Sequence, residues 1–337
     1  MSAALEETPI SYEDLADIER EFDDAETEII RQQVALTAPL YSRRTKTVSQ
    51  IPNFWPLVLE QAPPDIDQYI QPSDSALLLS SLLSFSVDHF EINPNKSKNS
   101  AFGDPRSVSI RFEFSQNEYF ENAVLEKKFW YRRSRDGWSG LVSEPIRIQW
   151  KKDRDLTGGL LDMVCNVWDV EQRSSNGTDA TQRELTLEQK SLKKTIENTG
   201  MGGLSFFAWF GFIGRKVSAE ESAEAIAKDV EIRKNRKANK ASPPESIDGD
   251  ADEGEEDLDM SLEIFPDGDE LAIAFTEDLW PSAIKYFTQA QEQDAISDAD
   301  FESDEGEPDD FNDPPQDSAD SDDDEIDARP TKKQRAA

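Results

Sequence analysis

The side chains that carry most enzyme chemistry are almost missing from this chain. One histidine, His89, and one cysteine, Cys165, serve 337 residues. A zinc site of the Cys/His type cannot be assembled within one chain from that pair. A Ser-His-Asp triad would have to use His89, which lies in the run "LLSFSVDHFEI" and reads as a half-exposed strand residue. There is no P-loop, and no strand precedes "GMGGLSFF" as a dinucleotide fingerprint requires. "DSDDDEID" lacks the glycine and the spacing of an EF-hand loop. What remains in abundance is carboxylate: 71 Asp and Glu oppose 36 Lys and Arg, a net charge of −35. Such a field repels nucleic acid and anionic membranes and attracts polycations. The expectation is a binding protein without a cofactor, whose partners are basic proteins. The rival reading is that the charge serves solubility alone.

The charge is uneven. From Ala241 onward lie 33 of the acids and only 5 of the bases, and Glu292 to Asp327 holds 18 acids with no Lys or Arg. Such a tail cannot bury enough apolar surface to offset its ordering entropy, so disorder is expected over 291–337. It ends in the basic cluster "RPTKKQR", where Lys332, Lys333 and Arg335 form a candidate nuclear import signal; "KNRKANK" is a second candidate. A single cysteine allows no internal disulfide and fits a reducing compartment. The start "MSAALEETPISYEDL" does not have the form of a signal peptide, and no run approaches the roughly 18 apolar residues of a membrane span.

The elements that must present these charges are legible from periodicity. After a flexible 1–10, Leu15, Ile18, Phe22, Ala25, Ile29 and Leu36 recur at steps of three and four over 11–50. Pro39 predicts a kink or a break there. At about 1.5 Å per residue the helix spans roughly 55 Å, longer than a small domain is wide. Its stripe therefore predicts a partner helix and a homodimer. "IPNFW" then turns the chain inward, and short helices follow, one of them capped near Ser73 or Asp74. "LLSFSVDHFEI", "RSVSIRFEFSQ", "LEKKFWYRR" and "EPIRIQW" read as four antiparallel strands, with a turn at Asp136-Gly137. Val108, Ile110, Phe112 and Phe114 share one face. "GGLSFFAWFGFIG" reads as a short buried helix. Residues 217–262 read as a flexible insertion containing a helical pattern, and Trp280, Ile284 and Phe287 offer packing groups.

"LTAPLYSRRTKTVSQIPNFW", "NEYFENAVLEKKF", "IQWKKDRDL", "LSFFAWF" and "EDLWPSAIKYF", in that order and followed by an acidic tail, carry a resemblance. The chain resembles the nucleosome assembly protein family, and within it the SET (template-activating factor) branch. The resemblance implies an α+β earmuff fold: a long kinked helix paired across a two-fold, then an α/β domain over about 51–290 with a four-stranded antiparallel sheet and flanking helices. It also implies a nuclear histone chaperone with no cofactor, acting on either or both core histone pairs; the negative charge sets the expectation of no direct strong nucleic-acid binding. A phosphatase inhibitor, or a regulatory protein that masks histone tails from acetylation, is the alternative that the SET branch suggests, with a phosphatase or a histone acetyltransferase as the further partner.

With the concave acidic surface that the resemblance implies, Asp269, Glu270, Glu277 and Asp278 are the candidate rim. Glu302, Asp304, Glu305, Asp309, Asp310, Asp322, Asp323, Asp324 and Glu325 are the candidate tail contacts. A structural adapter using only the long helix is a further rival.

Overall fold

The computed structural model describes residues 12–92, 103–174, 185–199, 203–237 and 261–302. One compact unit ends at Gln293; of the second, only the helix backbone as far as Glu302 is described. The remaining tail carboxylates and the import cluster lie outside the described residues.

Helix α1 (Tyr12–Val48) is continuous over 37 residues, including Pro39. Proline removes one ladder bond at a cost of about 3 kcal/mol. The turns beyond it are held by the domain, which offsets that loss. Tyr41 lies 5.2 Å from the Trp280 ring. The Arg44 guanidinium sits 4.0 Å over the same ring and donates to the Trp280 carbonyl. Val48 is buried. Asn53 then adopts the left-handed conformation, φ 56°, which asparagine tolerates better than most residues. That turn aims α2 (Phe54–Glu60) inward. Trp55 stacks on Trp280 at 5.6 Å, and Phe54 on Phe287 at 4.8 Å.

Two short helices follow, α3 (Pro64–Asp67) and α4 (Pro72–Ser81). The N-cap of α4 is Gln71, not Ser73 or Asp74. Asp74 is fully buried one turn in, where its carboxylate accepts from Gln71 N, Ser205 Oγ and Phe206 N at 3.0, 2.6 and 2.7 Å. A local cap thus doubles as a long-range tie.

The sheet runs β1 (Leu82–Asp88), β2 (Val108–Phe114), β3 (Val124–Arg133), β4 (Ser139–Ser143), all antiparallel and in that order. The fourth strand differs from the one expected. "EPIRIQW" joins no strand of the sheet and carries one isolated β-bridge, Phe120 with Trp150. The strand is "SGLVS", directly after the Gly137 turn, where φ is 94°. Two serines and a glycine hide it from propensity; hairpin geometry selects it instead.

Helices α5 (Leu160–Ser174) and α6 (Leu187–Thr199) pack together, and a buried 3-10 helix (Phe206–Gly211) follows. Helix α7 (Ala219–Lys237) occupies the first part of the 217–262 segment read as an insertion. It is tied to β3: Arg133 N donates to the buried Ser222 Oγ at 3.0 Å. Residues 238–260 lie outside the described ones. Helix α8 (Gly268–Ala274) leads through a π-helical turn (Phe275–Leu279) into α9 (Trp280–Glu302). Trp280 is buried and Phe287 packs as expected, but Ile284 is 56 % exposed.

The core is aromatic. Phe112 of β2 lies 5.0 to 6.2 Å from Phe85, Phe206, Trp209, Phe210 and Phe275. Beside it, the buried Lys127 ammonium donates to the carbonyls of Glu144, Phe210 and Phe212 at 3.0, 3.2 and 2.8 Å. These bonds hold the 3-10 helix to the sheet. Burial pushes Lys127 down from 10.5 to about 7, against the nearby Glu263 charge. Between those values the unfolded chain binds a proton that the folded chain lacks, so this group makes stability rise with pH. Lys127→Met should flatten that rise across the window, as measured by chemical unfolding at a series of pH values.

Candidate functional site

Two surfaces stand out. The first is on α1, which has two unlike faces. Arg20 pairs with Asp229 at 3.3 Å, Asp24 with Arg233 at 2.8 Å, and Arg31 donates to the Gly103 carbonyl at 3.1 Å. Asp229 also holds Arg133 of β3 at 3.1 Å, so α7 clasps α1 to the sheet. About 180° around the helix, at about 100° per residue, lie Leu15, Phe22, Ile29 and Leu36, with Ile18 and Ala25 three residues after the first two. The five larger side chains are 43 to 74 % exposed, and Ala25 is exposed as well. The seven-residue repeat is that of a helix-pairing seam. The chain's own domain binds α1 by its polar face and leaves the apolar face open.

The second surface is acidic. Helices α3 and α8 meet, although about 200 residues separate them in the sequence. Tyr69 Oη donates to Asp267 Oδ2 at 3.0 Å. Asp65, Asp67, Asp267 and Glu270 are exposed around this joint, and Asp269 is half-buried. No lysine or arginine pairs with any of the five among the described residues. The Tyr69 phenol reports their field. Burial pushes it up to about 12, helped by the hydrogen bond to Asp267 and by the charges of Asp267, Glu270 and Asp65.

The rim residues expected from sequence fall unequally. Glu270 joins the cluster in the open, and Glu277 is exposed on the π-helical turn. Asp269 is drawn back to the amides of its own first turn, and burial raises its pKa. Asp278 accepts from Tyr286 Oη at 2.9 and 3.0 Å. Sequence reading missed Asp65, Asp67 and Asp267. "PPDIDQY" and "FPDGDE" are each short acidic turns, and only the α3–α8 packing adds them together. His89 Nδ1 lies 2.6 Å from the Pro105 carbonyl, and the Cys165 thiol is buried and pushed up to about 11. No helix among the described residues is long and apolar enough to cross a membrane.

The model of the nucleosome assembly protein family matches residues 11–290, from the α1 seam through the acidic cluster and into α9. The chain belongs to the nucleosome assembly protein family. A Schizosaccharomyces pombe protein named as a nucleosome assembly protein is 30% identical over 288 residues, 85% of this chain and 82% of the relative. Vacuolar protein sorting-associated protein 75 of Saccharomyces cerevisiae is 23% identical over 303 residues, covering 87% and 86%. Protein SET of Drosophila melanogaster is 31% identical over 131 residues, 37% of this chain and 43% of that one. A crystal structure of Vps75 superposes with a TM-score of 0.49 at 23% identity, covering 82% of this chain and 96% of that one.

For this member of the nucleosome assembly protein family, the Tyr69 phenol is a built-in reporter of the acidic cluster. Asp267→Asn with Glu270→Gln should bring its titration down towards the ordinary 10, read by ultraviolet absorbance against a Tyr69→Phe control.

Proposed function

We propose that this protein is a histone chaperone that pairs through α1 and receives basic core histones on carboxylates left without cations. The observation that carries the reading is the group Asp65, Asp67, Asp267, Asp269 and Glu270, gathered from two distant segments and paired with no lysine or arginine among the described residues. Fixed negative charges attract a polycation. DNA holds histones through many phosphates and gains from counterion release. Each exposed carboxylate here is worth only about 0.2–1 kcal/mol to a partner. The surface therefore shields a histone from disordered contacts and gives it up to duplex DNA. The tail carboxylates from Asp304 to Glu325 add long-range capture in this reading. Nuclear import through Lys332, Lys333 and Arg335 belongs to it as well. A phosphatase or an acetyltransferase as a further partner rests on the likeness to SET alone.

Pairing through α1 follows from solvation. Each large side chain of the seam gains about 1.5–3 kcal/mol on full burial, and the described residues of the chain's own domain leave it exposed.

Size-exclusion with light scattering tests both halves. The full chain should run as a dimer, and Phe22→Glu with Ile29→Glu should run as a monomer. Neutralising Asp65, Asp67, Asp267 and Glu270 to their amides should lower affinity for core histones about tenfold or more at low salt while leaving the dimer intact. A monomeric wild-type chain, or unchanged histone affinity in the amide variant, would contradict the proposal.

A further inference from the structure

Next to the acidic cluster, α2, α3 and α4 enclose an open groove of about 310 Å³. Its floor is Pro56, Leu59 and Leu78, all buried. Its walls are Ile70, Pro72 and Leu79, the last 39 % exposed. Two carboxylates, Glu60 and Asp67, stand at its mouth, both exposed and neither paired with a cation among the described residues. Asp67 stands two residues from both Asp65 and Tyr69 in the sequence, which sets the groove beside the acidic cluster.

We propose that this groove is a side-chain socket for a basic, extended protein segment, taking one aliphatic residue that has Lys or Arg on either side. The volume and the apolar floor set the anchor, because an aliphatic side chain leaves water there without stranding a polar atom. The rim sets the flanks. A cationic group beside the anchor meets Glu60 or Asp67, while an acidic or neutral segment meets uncompensated charge. A second copy of this chain is a poor occupant by charge, since it carries net −35. The inference deepens the proposed function: carboxylates alone rank partners by charge, whereas a socket ranks equally basic segments by sequence. It rests on the chaperone reading for the identity of the natural partner, not for the chemistry of the groove.

The test uses the full chain and two fluorescein-labelled synthetic peptides of equal charge, one with a single Leu between Lys/Arg pairs and one with Ser in its place. The wild-type chain should bind the Leu peptide about tenfold more tightly. Ser75→Phe, which fills the groove from α4, should abolish that difference and leave the shared electrostatic affinity. Leu79→Ser, on an exposed wall, should reduce it in a fold that is easier to keep. Glu60→Gln with Asp67→Asn should weaken both peptides alike. Equal binding of the two peptides by the wild type would overturn the proposal, as would a Leu preference that survives Ser75→Phe. Groove-filling variants that change the dimer mass would overturn it too, by making the groove a contact between copies. Core-histone binding measured alongside separates the two claims. Histone binding without Leu discrimination sinks the socket alone, and Leu discrimination without histone binding sinks the chaperone reading alone.

Discussion

Uncompensated negative charge, held in place by a neutral and aromatic core, is the constraint on which this molecule turns. A carboxylate on a solvated surface costs little. Here several are fixed near one phenol with no cation among the described residues to meet them; burial pushes that phenol up to about 12, and the hydrogen bond to Asp267 and the charges of Asp267, Glu270 and Asp65 add to the rise. They are fixed because the helices beneath cannot move apart. Helix α8 continues into Phe275 and Trp280, both rooted in the cluster centred on Phe112. Helix α3 is anchored by the fully buried Ile66. Packing thus fixes where these carboxylates stand.

The same division of labour explains α1. Its polar face is consumed by the domain through Arg20, Asp24 and Arg31. Its apolar face is left over. Ion pairs at a half-exposed surface are individually weak, yet they fix which way the helix is turned. The aromatic knot at its far end, where Tyr41, Arg44, Trp55 and Trp280 meet, fixes where it leaves the domain. Orientation comes from charge and position from packing, and together they leave the apolar face of α1 turned outward.

Much of this was legible in the sequence because it is periodic or local. The α1 stripe, the inward face of β2 and the buried "SFFAWFG" turn each declare themselves over a few residues. Beta strand four did not, since "SGLVS" has no propensity signal and exists because a tight turn returns the chain along β3. Ile284 misled for the opposite reason: it lies one turn after Trp280, yet the buried side of α9 runs through Trp280, Ala283, Tyr286 and Ala290 and leaves it outside. The acidic cluster was half legible. Glu270 could be named from the resemblance, but Asp65 and Asp67 are joined to it only by tertiary contact, and no local pattern encodes that.

The most direct test of the account is the salt dependence of core-histone affinity for the full chain, measured for the wild type and for the chain with Asp65, Asp67, Asp267 and Glu270 neutralised. The account predicts that log affinity falls steeply with log salt in the wild type, less steeply in the variant, and that the two lines converge at high salt. Parallel lines of equal affinity would contradict it, because they would mean that these carboxylates take no part in holding the partner.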